Sequence, residues 1–241
     1  MILFMLERML RLVPMDPERL ILFTGHFGSG KTEIAINYAL KTAESGKKTI
    51  LVDLDIVNPF FRSTEAKEIL EAGGVKVISP NFAATALDIP SLPADIYSVF
   101  TDRTSKVIFD VGGDEIGARA LGQYFPYFKK EPEPSYRMYY VINTKRPLSA
   151  SKEDILFMMR EVQHKSRLPV THLINNTNLS YETEICDIIK GQALISQVSK
   201  SVEIPIAYIT GVKELLYQIA EHEEGLKSIL FPIRLYMKPP W

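Results

Sequence analysis

The stretch Gly25-His26-Phe27-Gly28-Ser29-Gly30-Lys31-Thr32 spells G-x-x-x-x-G-K-T, and its setting constrains the fold more than anything else in the chain. It follows the apolar run Leu20-Ile21-Leu22-Phe23 and precedes Glu33 to Leu40, where Ile34, Ala35, Tyr38 and Ala39 recur at helical spacing. Strand, glycine turn and helix in that order bring successive backbone N–H groups and the positive end of a helix dipole to one point, a geometry suited to gripping a polyanion. Lys31 stands where it would reach the outer phosphates of a nucleotide, and the Thr32 hydroxyl where it would ligate Mg²⁺.

The rest of the chain continues this alternation. Strand-like runs recur at Thr49 to Asp53, Val75 to Ser79, Lys106 to Val111, Met138 to Asn143, Val170 to Asn175 and Ile204 to Ile209. Helical patterns lie between most of them, at Arg62 to Ala72, Ala94 to Arg103, Glu115 to Phe128, Ser151 to Lys165 and Thr183 to Ser199, with Ser149 and Ser151 as N-cap candidates for the fourth. Nearly continuous apolar strands alternating with helices predict a three-layer α/β/α fold on a mostly parallel sheet, with ligands gathering at the carboxyl ends of the strands. Residues 1–19 read as an N-terminal extension and 20–241 as one nucleotide-binding domain, with residues 129–135 as an exposed, proline-containing loop.

Composition removes several function classes. A formal net charge of −1 without a Lys/Arg run gives no nucleic-acid signature. One cysteine, Cys186, excludes an intrachain disulfide and fits a reducing, cytoplasmic setting. His26, His164, His172 and His222 lack metal-site spacing. The apolar N-terminus is too short and too charged to span a bilayer, and it lacks the basic start of a signal peptide. Ile2, Leu6, Met9, Leu10 and Val13 share a helical face there, which suits packing on the domain or a neighbouring subunit, or lying on a membrane surface; an upstream start codon is a third origin.

Two acidic strand ends complete the pattern. One is Leu51-Val52-Asp53-Leu54-Asp55, followed by Asn58-Pro59-Phe60-Phe61-Arg62; the other is Val107-Ile108-Phe109-Asp110-Val111-Gly112-Gly113-Asp114, a Walker B pattern. Aspartates there also serve as ordinary caps and turn residues. Buried at a strand end beside a phosphate loop, however, they need a cation or donor, and nucleotide-borne Mg²⁺ supplies one. Gly112-Gly113 would let a backbone N–H approach the γ-phosphate.

These motifs resemble the SIMIBI class of P-loop NTPases, the group around MinD, ParA, ArsA and the CobQ/CobB-like proteins, from about Leu20 to about Tyr217. The resemblance identifies Gly25 to Thr32 with the family's P-loop, Asp53-Leu-Asp55 with its D-x-D switch I and Asp110-Val-Gly-Gly with its switch II. It implies Asp55 as the residue positioning the attacking water, Thr32, Asp53 and Asp110 around Mg²⁺, Gly113 at the γ-phosphate, Asn175 as the reader of the adenine base, and Ile204-Pro205-Ile206 as a segment near that base. The MinD/ParA/ArsA branch carries a second lysine just after the first P-loop glycine, which crosses to the partner's phosphate in a nucleotide-sandwiched dimer. Here that position is His26, a weaker phosphate clamp because it is largely neutral near pH 7. Arg62 and Arg119 are candidate substitutes, and solvated surface arginines otherwise.

The function that follows is a Mg²⁺-dependent ATPase switch, with Lys31 and Asp55 as catalytic residues, ATP and Mg²⁺ as cofactors, and a nucleotide-dependent homodimer as a possible assembly. Two alternatives stay open: ATP-dependent transfer to a small acceptor, with Ser79 to Pro93 lining its pocket, and a nucleotide-binding scaffold with negligible turnover. GTP is disfavoured because no N-K-x-D occurs.

Overall fold

The computed structural model describes residues 16–55, 64–79, 95–131 and 136–237. The N-terminal amphipathic stretch, Asn58 to Arg62, residues 80–93 of the proposed acceptor segment and residues 132–135 lie outside the described residues.

The chain alternates strand and helix: β1 (Leu20–Thr24), α1 (Lys31–Glu44), β2 (Thr49–Leu54), α2 (Thr64–Ala72), β3 (Val75–Ile78), α3 (Asp95–Thr101), β4 (Lys106–Val111), α4 (Glu115–Gln123), α5 (Phe125–Phe128), β5 (Tyr136–Ile142), α6 (Lys152–Ser166), β6 (His172–Asn175), α7 (Ile185–Val202), β7 (Ile206–Val212), α8 (Lys213–His222) and β8 (Leu230–Ile233). The eight strands form one sheet in the order β3-β2-β4-β1-β5-β6-β7-β8, every pairing parallel. The expected α/β fold is the observed one.

Alternate residues of the central strands serve two separate cores, as the pleat requires, and a third, smaller one forms around Ile209 and Leu230 of β7 and β8. Leu20 and Leu22 of β1 face a core closed by Phe100, Leu121, Tyr124, Phe128, Ile155 and Met159 from α3 to α6. Ile21 and Phe23 face the other, closed by Ile34, Tyr38 and Leu70 from α1 and α2. Every residue of β1 is fully buried, which explains its unbroken apolar sequence. Each such side chain contributes roughly 1.5–3 kcal/mol of burial.

Several boundaries differ from the sequence expectation. The helix expected over Glu115 to Phe128 breaks at Tyr124, and Pro126 opens the short α5 in its first turn, where a missing N–H costs nothing. The strand expected from Val170 starts at His172, because Pro169 precedes it and the Val170 N–H donates to Gln163 Oε1 at 2.8 Å. Ser151 does cap α6, its hydroxyl accepting from Asp154 N at 3.1 Å. Glu131, expected in an exposed loop, is buried and paired with Arg19 at 3.0 Å and with Arg103.

Residues on both flanks of the domain are tied to it. At the amino edge of the sheet the buried Asp16 accepts hydrogen bonds from Tyr38 Oη at 2.6 Å, from Tyr139 Oη and from Arg137 Nη1 at 2.5 Å, while Arg137 Nη2 reaches Glu18 at 2.8 Å. Beyond β8, the Glu33 carboxylate on α1 accepts the backbone N–H groups of Tyr236 at 2.6 Å and Met237 at 3.1 Å. Asn37, one turn later, exchanges two hydrogen bonds of 2.8 Å with the backbone of Arg234.

Candidate functional site

In the sheet order, β1 lies between β4 and β5, so the chain leaves β1 toward one edge and later returns past it to fill the other. Such a reversal opens a crevice at the carboxyl ends of the strands. Gly25 to Thr32 fills the turn from β1 into α1 at this point. Gly25, Gly28 and Gly30 hold φ of 148°, 73° and 87°, and Gly30 starts α1 as a left-handed cap. A Cβ at Gly25 would collide with the Val141 carbonyl and one at Gly30 with the Asn176 amide, so these positions require glycine twice over. Asn176 holds the loop from behind: its Nδ2 donates to Ser29 O at 2.7 Å, and its Oδ1 accepts from Thr210 at 2.6 Å.

Asp53 and Asp110 are register partners on neighbouring strands, and Phe23, just before the loop, pairs with Asp110 on the other side. Both aspartates are 1% exposed. The Asp55 N–H donates to Asp53 Oδ1 at 2.8 Å, and the Asp55 carboxylate lies against Gly112. Gly113 packs so closely on the loop that a Cβ would sit 2.6 Å from both Lys31 Nζ and Phe27 N. The structure thus gathers Gly25 to Thr32, Asp53, Asp55, Asp110 and Gly113 at one carboxyl edge.

The electrostatics of this cluster are unsettled. Lys31 is buried, and its Nζ makes one long hydrogen bond of 3.4 Å to His26 O. Burial pushes its pKa down, against the pull of Asp110, Asp55 and Asp114. Burial pushes Asp110 up to about 6, although Lys31 and the nearby Thr32 hydroxyl favour its charged form. Neither Asp110 oxygen finds a partner of hydrogen-bond geometry among the described residues, nor do the buried Thr24 Oγ1, Ser29 Oγ and His26 Nδ1. Buried polar atoms are nearly always satisfied, so a group of unsatisfied ones around a glycine loop marks a place for a ligand. Donors and acceptors are both present, matching an anion that carries a cation. His26 has its pKa lowered, by burial first and then by Lys31 and Arg146, and is neutral at pH 7.

Asn175, Ile204-Pro205-Ile206 and Arg119 stand apart from this cluster. Both amide protons of Asn175 are taken, by Ile188 O and Gln192 Oε1 at 3.1 Å each, and its Oδ1 accepts from Thr177 N at 3.0 Å. Ile204-Pro205-Ile206 enters β7 at the amino edge, where Pro205 O accepts from Leu173 N, so it cannot lie near a base bound at the carboxyl edge. Arg119 is exposed and paired with Glu115 on its own helix. Arg62 lies outside the described residues.

No protein-family model and no curated protein matches the chain. Solved structures do. The cell division protein FtsY of Thermotoga maritima superposes with a TM-score of 0.50 at 18% identity, covering 89% of this chain and 71% of that one. The fold is that of a P-loop NTPase. FtsY of Mycoplasma mycoides (TM-score 0.50, 17% identity, 83% of this chain and 63% of that one) and chloroplast FtsY of Physcomitrella patens (0.51, 15%, 85% and 65%) share it. This chain therefore spans roughly two thirds of the length of these relatives in fold. No described helix is long and apolar enough to cross a membrane.

Proposed function

We propose that the chain binds Mg²⁺·ATP at the Gly25 to Thr32 loop and hydrolyses it slowly as a nucleotide-driven switch of the SIMIBI kind. The observation that carries the reading is the set of buried polar atoms without a partner among the described residues, Thr24 Oγ1, Ser29 Oγ and both Asp110 oxygens, gathered with the buried Lys31 beside a glycine loop at a helix N-terminus. In this reading the amides of Gly28 to Thr32 and the Lys31 ammonium hold the phosphates, with Gly25, His26 and Phe27 shaping the outer lip of the loop. Thr32, Asp53 and Asp110 hold Mg²⁺, which shares the phosphate charge and fixes the phosphate geometry. Asp55 orients the attacking water, and the Gly113 N–H meets the γ-phosphate. The absence of N-K-x-D favours ATP over GTP.

A specific observation also favours nucleotide-dependent pairing of two chains over a small-acceptor reaction. Phe27 of the P-loop is exposed, as are Ile116, Leu148, Leu179 and Tyr181 on other loops and helix starts at the carboxyl edge of the sheet. Calorimetric titration with ATP and GTP, each with and without Mg²⁺, tests the reading. The native chain is expected to bind Mg·ATP more tightly than Mg·GTP. Lys31→Ala is expected to weaken binding at least about 100-fold, the loss of a buried charge-assisted phosphate contact, while keeping its circular dichroism. Unchanged affinity in that variant sinks the reading.

A further inference from the structure

His26, on the same loop as Lys31, has its pKa lowered by burial and is neutral at pH 7, so it brings no charge to a bound anion. Lys31 alone poorly balances a Mg²⁺-bound triphosphate, which retains about two negative charges. The turn from β5 into α6 supplies a second cation at the loop. Arg146, exposed, donates from Nε to the Gly28 carbonyl at 3.1 Å, and its side chain covers the face of Gly28 so closely that a Cβ there would meet Nε at 3.3 Å. It is also close enough to His26 to help depress that pKa.

Its backbone is fixed. Arg146 N donates to Asn143 O at 3.0 Å and Arg146 O accepts from Ser149 N at 2.9 Å. Asn143, fully buried, ties this turn to the β6–α7 connection through Asn178, its Nδ2 donating to Asn178 O at 3.0 Å. The neighbouring cation is committed elsewhere, since Lys145 pairs with Asp187 at 2.5 Å. Arg146 is anchored through Nε alone, and its two terminal nitrogens make no hydrogen bond among the described residues. An arginine held at Nε with its fork open is pre-organised for a bidentate oxyanion.

We propose that Arg146 is a catalytic residue of this site, its Nη1/Nη2 fork contacting the terminal phosphate of the bound triphosphate while Nε stays on Gly28. This rests on the nucleotide reading above. The terminal phosphate is the target because the amides that cradle the inner phosphates belong to the start of α1, at Gly30 to Thr32, whereas Arg146 sits at Gly28 and beside His26, on the lip that Gly113 approaches at Phe27. Arg146 adds a same-chain charge where phosphoryl transfer builds charge up.

The test compares Arg146→Ala, Arg146→Gln and Arg146→Lys in the full chain, measuring affinity for Mg·ATP and Mg·ADP, turnover and nucleotide-free melting temperature. Gln retains a donor for the Gly28 carbonyl but carries no charge, so it separates phosphate contact from loop support. Ala and Gln are both expected to weaken Mg·ATP about tenfold or more, to change Mg·ADP less than about threefold and to leave the melting temperature unchanged. Lys is expected to recover part of the ATP preference. If Ala and Gln keep the native ATP-to-ADP preference, or if Gln alone restores native behaviour, the inference is overturned. If native ATP binding depends on Lys31 and yet ignores Arg146, only this inference falls; if the native chain binds no nucleotide, both fall.

Discussion

Asp16 at the amino edge of the sheet and Asp110 at its carboxyl edge are buried to a similar degree, at 4% and 1% exposure, and are treated oppositely by their surroundings. Two tyrosine hydroxyls and one arm of the Arg137 guanidinium converge on Asp16. No donor of hydrogen-bond geometry meets Asp110 among the described residues, and its pKa is pushed up to about 6 by burial. A polar group whose bonds are all made inside the chain is part of the scaffold. One that no donor of the fold meets lowers stability, and such groups persist where a ligand completes them.

The largest expected effect lies on the scaffold side. Asp16→Ala leaves two tyrosine hydroxyls and Arg137 Nη1 without their acceptor in the amino-edge cluster and is expected to lower the unfolding free energy by about 3 kcal/mol in urea titration. Its effect on nucleotide affinity is expected to be small; a variant that kept native stability would erase the contrast between the two edges.

Asp110→Asn is expected to act in the opposite direction, and with a pH signature. A carboxyl whose folded pKa of about 6 exceeds its ordinary 3.8 contributes stability below that ordinary value and loses it as pH rises through about 6. The asparagine variant escapes that loss. Its advantage over the native chain should be near zero around pH 4 and grow to about 2 kcal/mol around pH 7 without nucleotide. If Asp110 holds Mg²⁺ as proposed, adding Mg²⁺ and ATP should reverse the order, because only the native chain would then gain that binding energy. A native chain more stable than the variant near pH 7 in the absence of ligand would count against the unsatisfied state of Asp110.

The smallest effect sharpens the amino edge. Tyr38→Phe removes one of the donors to Asp16 and leaves Tyr139 and Arg137 in place, so about 1 kcal/mol is expected, without pH dependence between 5 and 8. A loss as large as that of Asp16→Ala would mean the cluster stands or falls as a unit.

What could be read from the sequence follows from how local each feature is. The P-loop was legible because three glycines with positive φ leave a spacing no other residue types can mimic, and Asp53 and Asp110 because each ends an apolar strand. The last strand and helix were missed for want of local signals: α8 has no side-chain cap, and β8 is a four-residue edge strand that contains Pro232. Asn175 and Asn176 could not be told apart, since one residue along a strand reverses the face, and it is Asn176 that touches the loop. Arg146 is 118 residues from Gly28 and meets it only because β5 lies beside β1.

The bonds from Glu33 and Asn37 to residues 234–237 carry a practical consequence. Glu33 follows Lys31 and Thr32 directly, so Tyr236 and Met237 are bonded to the same helical turn as Lys31, the lysine proposed to hold phosphate. A purification handle or fluorophore attached close behind Met237 would tug on the loop it was meant to observe, and a reporter meant to stay silent belongs on another face.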